Sequence, residues 1–205
     1  MGKITGNNLN LNEFISQYWR YYMDIENQTV SIRRYISFSQ KNMKSFSIEM
    51  LKILQITCSE VDVFAKQIAI ENSPENAIEE RATISTWGPA VYSAFPSVDK
   101  VQIKVLNSNI NLQPWKNWRY KFKEDNKAIY QEKCGSPKWW NAYNEVKHRR
   151  AFEDECGIFN YEKANLANLL NSLGALYIIE SLYLKKFDNQ DLFHSDIFSP
   201  IHPAR

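Results

Sequence analysis

Residues 166–184 read LANLLNSLGALYIIESLYL. Whether this run crosses a membrane or lies inside a protein decides the fold, because a bilayer asks for about 20 mostly apolar residues. Asn168, Asn171, Ser172 and Glu180 interrupt it. A carboxylate and two carboxamides are costly at bilayer depth and tolerable in a partly polar protein interior. The run is therefore read as the buried helix of a helical bundle, extending from about Tyr161 to Phe187, and no membrane association is expected.

The same reading applies outward along the chain. Leu11, Phe14, Tyr18, Tyr22, Ile25 and Tyr35 recur mostly three or four residues apart, which predicts one amphipathic helix from Leu11 to about Ile36. Leu51, Leu54, Cys58, Val61 and Ala65 mark a second from about Ile48 to Ile70, with Ser45 or Ser47 as its cap. Ser73-Pro74 predicts a third, shorter helix reaching about Thr83. Ser136-Pro137 predicts the start of a fourth, which carries WWNAYNEVKHRR (139–150) to about Ala151. Between them, residues 87–113 contain WGPA, FPS and the alternation VQIKVL-NSN-INL, read as a β-hairpin or extended insertion. The expected fold class is mainly α: a single helical domain over 1–205, with an insertion over 87–133 and a surface tail over 188–205.

Bulk composition narrows the function classes. The chain has 205 residues, 44% of them hydrophobic and 14% aromatic, enough for one core. A formal net charge of only +2 supplies no global field for nucleic acid, so any such affinity must come from a local patch. Cys58, Cys134 and Cys156 are odd in number and widely spaced, which suits reduced thiols in a cytoplasm better than a disulfide framework. The opening MGKITGNNLNLNEF lacks the apolar segment of a signal peptide. It also has Gly6 where N-myristoylation requires Ser or Thr.

WWNAYNEVKHRR concentrates the chemistry. Residues four apart stack on one helix face, so Asn144 neighbours His148, and Tyr143 neighbours Lys147, with Arg150 close to Lys147. An amide, an imidazole, an ammonium and a guanidinium within two turns suit a phosphate group. On RNA, His148 could move the proton of a 2′-hydroxyl, since a free imidazole titrates near pH ~6.5, while the cations stabilise charge developing on phosphorus. Such chemistry needs no metal or other cofactor. The plainer reading is an aromatic anchor beside a basic helix end that complements the helix dipole.

The frame Tyr143-Asn144-Glu145-Val146-Lys147-His148, followed by two arginines and then by a long Leu/Ala/Asn-rich helix, resembles the HEPN superfamily. Its members are helical bundles that commonly dimerise, and many are metal-independent ribonucleases of RNA-processing, toxin–antitoxin and antiphage systems. The family pattern is an arginine, four to six residues of which the first is usually polar, and a histidine. The resemblance implies His148 as the catalytic histidine and Asn144 as the polar position, with Tyr143 standing where the phosphate-contacting arginine belongs. Two readings follow. Tyr143, Lys147, Arg149 and Arg150 form the phosphate- or nucleic-acid-binding surface of an endoribonuclease, or the domain is a non-catalytic module that engages a partner protein, a nucleotide or a nucleic acid. RNA, a second copy of the chain and an antitoxin-like protein are the partners this implies.

Other features carry less. Asn165, Asn168 and Asn171 recur every three residues, as a partly solvated helix edge, a polar cleft facing His148 or a dimer seam. Glu60 and Asp62 are two apart and so point in different directions, leaving Glu60 to pair with a base of the motif helix. Cys134, His148 and Cys156 match no zinc spacing, His194 and His202 are expected in solvent, and no phosphate loop or GxSxG elbow occurs. PWKNWRYKFK (114–123) interleaves aromatics with cations, as a base-stacking surface does or as a loop with buried rings and solvated lysines does.

Overall fold

The computed structural model describes residues 2–73, 77–116, 136–187 and 194–201, and the backbone alone of 120–122 and 128–130. The first helical stretch runs unbroken through α1 (Leu11–Phe14), a π-helical turn (Ile15–Trp19) and α2 (Arg20–Ile32). Asn10 and Glu13 form a reciprocal capping box at its start. Ser47 caps α3 (Ile48–Glu71) through the Met50 amide, and Asn165 caps α6 (Leu166–Leu184) through the Asn168 amide. With α4 (Ile84–Ala94) and α5 (Lys138–Arg149), these make five helices among the described residues. The chain is mainly helical, with small antiparallel sheets. Among the described residues, no helix is long and apolar enough to cross a membrane.

The long helices α3 and α6 pack along each other at the centre, and α2, α4 and α5 also lie against α3. Phe14, Phe64 and Tyr183 meet there with ring centroids 5.2–5.7 Å apart. Glu180, the polar break in the apolar run, is fully buried.

Three expectations are corrected. Residues 74–76 lie outside the described residues, but no helix reaches Thr83. Instead β2 (Ala77–Glu79) pairs antiparallel with β1 (Lys3–Thr5), matching Ile4 with Ile78. WGPA does not open the β region; it lies inside α4, where Trp87, Gly88 and Val91 are buried and Pro89 is accommodated within the helix. A proline there forgoes one backbone hydrogen bond, and burial of Trp87 and Val91 offsets that loss. The expected hairpin is present as β3 (Ile103–Val105) and β4 (Asn111–Leu112), turning through Asn107 with its φ at +57°. The tail, however, does more than cover the surface. Its β7 (Phe198–Pro200) adds a third strand beside β3, and Ile197 and Phe198 are buried. β5 (Tyr120–Phe122) pairs antiparallel with β6 (Ala128–Tyr130).

The tail is held by a buried carboxylate. Glu26 on α2 is wholly enclosed and accepts from the Tyr22 hydroxyl at 2.6 Å, from the Asp196 amide at 2.9 Å and from the Ser195 hydroxyl. Tyr22 is pushed well above the usual phenol range by burial and then by Glu26.

The three-stranded sheet docks on α6 at Gly174. A β-carbon there would stand 2.6 Å from Ile103 Cδ1 and 3.2 Å from Pro114 Cγ. Gly174→Val should therefore lower unfolding free energy by about 1–3 kcal/mol through overpacking, measured by urea denaturation. Unchanged stability would mean that the sheet shifts freely on the helix.

Candidate functional site at the C-terminal end of α5

The mixed composition of 139–150 resolves into two faces. Trp139, Trp140, Ala142, Tyr143 and Val146 point into the core. The Trp139 indole donates to the Pro114 carbonyl at 2.9 Å, and the rings of Trp140 and Trp87 meet edge to face at 5.4 Å. These contacts fix α5 on the bundle. Lys147, His148, Arg149 and Arg150 are exposed, and Asn144 is half-buried.

At about 100° per residue, Asn144 lies between Lys147 and His148 on the outer face. The three share an arc of roughly 100°. Arg149 flanks His148 on the far side, and Arg150 follows the last helical residue. The structure therefore groups Asn144, Lys147 and His148 and places the arginines around them. Tyr143 is 7% exposed and packs on Trp140 at 5.3 Å, with the Lys147 ammonium 5.4 Å from its ring centroid. The position that the family pattern gives to arginine thus holds a buried ring, and the nearest cation above it is Lys147.

The helix end is well anchored. The Arg149 carbonyl accepts from the Asn160 side chain and the Phe152 amide, and the Arg150 carbonyl accepts from the Tyr161 amide. Beyond it, the Asp154 carboxylate accepts from the Cys156 and Ile158 amides, and Gly157 adopts φ +73°, a conformation that suits glycine. Lys163 bridges Glu145 at 2.7 Å and Asp154 at 3.1 Å. Burial draws the Lys163 ammonium down, but its bonds to Glu145 and Asp154 outweigh that and hold it above the ordinary lysine range. Asp154 is lowered, first by the Ile158 amide and then by Lys163. The one acid on the motif helix is thereby occupied. Among the described residues, Lys147, Arg149 and Arg150 have no ion-pair partner, and the side chains of Asn144 and His148 make no hydrogen bond.

Glu60 does not pair with this helix. It is 7% exposed, and burial pushes its carboxyl up to about 7. Glu180 is raised well above the carboxylate range, by burial and then by Glu60, and neither of its oxygens has a hydrogen-bond partner among the described residues. Asp62 points the other way, to Lys66 and the Trp87 indole. Of the interleaved stretch, Trp115 is buried and its indole donates to the Ala175 carbonyl, while Lys116 is exposed. The side chains from 117 to 123 lie outside the described residues, as do Cys134 and His202. His194 is exposed, and Cys58 and Cys156 are free thiols. No group of three or more His, Cys, Asp or Glu side chains among the described residues is placed to hold a metal.

The asparagines of α6 divide. Asn165 is the helix cap, whereas Asn168 and Asn171 line a cleft of about 510 Å3 at the other end of α5. Trp139, in its wall, lies about 14 Å along the helix from His148, so this cleft does not face the histidine. Its residues come from the hairpin and the turn after it, α5 and α6; the asparagine spacing and the 114–123 stretch, which supplies Pro114 and Lys116, were its sequence signals.

No protein-family model matches the chain, and no curated protein or solved structure matches it either.

Proposed function

We propose that this is a HEPN-like helical protein that cleaves RNA without a metal at the C-terminal end of α5. The observation that carries the reading is an outer face bearing Asn144, Lys147 and His148, exposed or half-exposed and unpaired, on a helix locked by its inner face. His148 moves the proton of the attacking 2′-hydroxyl, and Asn144 holds the reacting group beside it. Lys147, set over Tyr143, supplies the cation to the phosphate, and Arg149 and Arg150 hold the neighbouring backbone. The protein works as a homodimer, as an effector of a defence or toxin–antitoxin system in the cytoplasm, with a partner protein that restrains it.

The test is incubation of the purified chain with a mixed RNA pool in EDTA. Cleavage leaving 2′,3′-cyclic phosphate ends is expected, because an internal 2′-oxygen displaces the 5′-oxygen. RNA that stays intact, with the dimer verified by light scattering and no partner bound, would overturn the catalytic reading.

Tyr143 favours a second reading. A buried ring where the family pattern has arginine suits a module that holds RNA or a partner without cutting it. That reading expects retention of RNA at low salt, with no new ends.

A further inference from the structure

The cleft at the N-terminal end of α5 has a chemistry of its own. Its volume of about 510 Å3 falls within the roughly 300–1,000 Å3 of small-ligand sites. Lys138, the first residue of α5, and Lys116, after β4, both line it, and among the described residues no carboxylate does. Neither lysine has an ion-pair partner among the described residues. The backbone amides of Lys138 and Trp139 open the twelve-residue helix α5 without a hydrogen-bond acceptor among the described residues, so the positive end of its dipole adds to the two ammonium groups.

The remaining polar lining consists of carboxamides. Asn168 and Asn171 donate their amide nitrogens to the Lys163 and Ala167 carbonyls, both at 2.8 Å, and Gln113 donates to the Asp99 carbonyl. In each the nitrogen makes one hydrogen bond, and among the described residues the oxygen accepts none. The side chains of Gln102 and Asn111 make no hydrogen bond among the described residues. Pro114 and the enclosed ring of Trp139 give an apolar floor.

Cations fixed at one helix end, with acceptors fixed across from them, suit a ligand that carries an anion and several hydroxyl groups. We infer that the cleft between the β3–β4 hairpin, the start of α5 and α6 is a binding site for a small phosphorylated sugar. Its phosphate lies between Lys116, Lys138 and the first amides of α5. Its hydroxyls donate to the oxygens of Asn168, Asn171 and Gln113. The site is separate from His148 and does not depend on RNA cleavage.

Isothermal titration of the full chain with ribose 5-phosphate, inorganic phosphate and ribose tests this in the absence of RNA. Ribose 5-phosphate should bind saturably with Kd below about 1 mM, at least tenfold tighter than either fragment. Lys138→Ala and Lys116→Ala, both at exposed positions, should each weaken it about tenfold or more with an unchanged circular dichroism spectrum. Asn171→Ala should weaken ribose 5-phosphate but not inorganic phosphate. No saturable binding of ribose 5-phosphate, or wild-type affinity in both lysine variants, would overturn the site. Equal affinity for phosphate and ribose 5-phosphate would overturn the assignment of a sugar.

Discussion

His148→Ala should leave an RNA pool intact under conditions in which the unaltered chain degrades it, a loss of about 10²–10⁴-fold. The reasoning is local. His148 is exposed and makes no hydrogen bond among the described residues, so its removal leaves no buried group unpaired and no cavity. The variant should therefore melt at the wild-type temperature, which separates lost chemistry from lost folding. Lys147→Ala should cost about 10²-fold if its ammonium faces the phosphate, and Arg150→Ala less, since Arg150 lies beyond the helical face. Undiminished cleavage by His148→Ala would place the reaction elsewhere. Tyr143→Arg would match the HEPN pattern in sequence but not in space. That position is buried against Trp140, and an enclosed guanidinium is costly, so the variant should lose stability rather than gain activity.

Glu180→Met should stabilise the fold by about 1–3 kcal/mol at neutral pH. Glu180 is fully buried, with both oxygens unpartnered, and an apolar side chain of similar length removes that desolvation cost. In a domain of this size each kcal/mol is worth about 2–4 °C in Tm. Lower stability would mean that the carboxyl has a partner in solution. The pH dependence follows from Glu60. Its folded-state pKa of about 7 stands above the ordinary 4.5, so between these values the folded chain holds a proton that the unfolded chain has released. The stability that Glu60 contributes is then full below about pH 4.5, falls as pH rises towards 7 and levels off above it, while Glu180, raised in the same sense, extends the fall to higher pH. The loss is on the order of 3 kcal/mol at most. Glu60→Gln should flatten this slope. An equally steep slope in that variant would assign it to other groups.

The helices that could be read from the sequence were those whose signals agreed. In α3 and α6 the apolar spacing coincides with the Ser47 and Asn165 caps, and both helices stand close to where periodicity puts them. In α4 the signals conflict. Gly88 and Pro89 look like breakers, while Ser73-Pro74 looks like a start, and only packing of Trp87 and Val91 settles the contest. The hairpin was legible through its alternation and the NSN turn, but β7 was not, because its partner strand lies far back in the chain and strand pairing leaves no local mark. At the site, the period of the helix already divides Trp139, Trp140 and Tyr143 from Asn144, Lys147 and His148. What the sequence could not show is that Tyr143 is covered while Lys147 stands over it. The cleft was illegible for a different reason: Gln113, Lys138 and Asn171 belong to three elements that only the fold brings together.

The order in which the chain emerges during synthesis bears on when it can act. The β3–β4 hairpin gains its third strand from residues 198–200, and Glu26 is satisfied by Ser195 and Asp196. These contacts cannot close until residues 195–200 have been made, whereas α1 to α3 can pack earlier through local contacts. A nascent chain therefore carries an unsatisfied acid in α2 and an open sheet edge at β3 until the strand around Phe198 arrives. The hairpin that walls the polar cleft is completed by residues 198–200, so ligand capture there follows the pairing of that strand. Pulse-labelling hydrogen exchange during refolding should find the amides of 103–105 protected after those of α3.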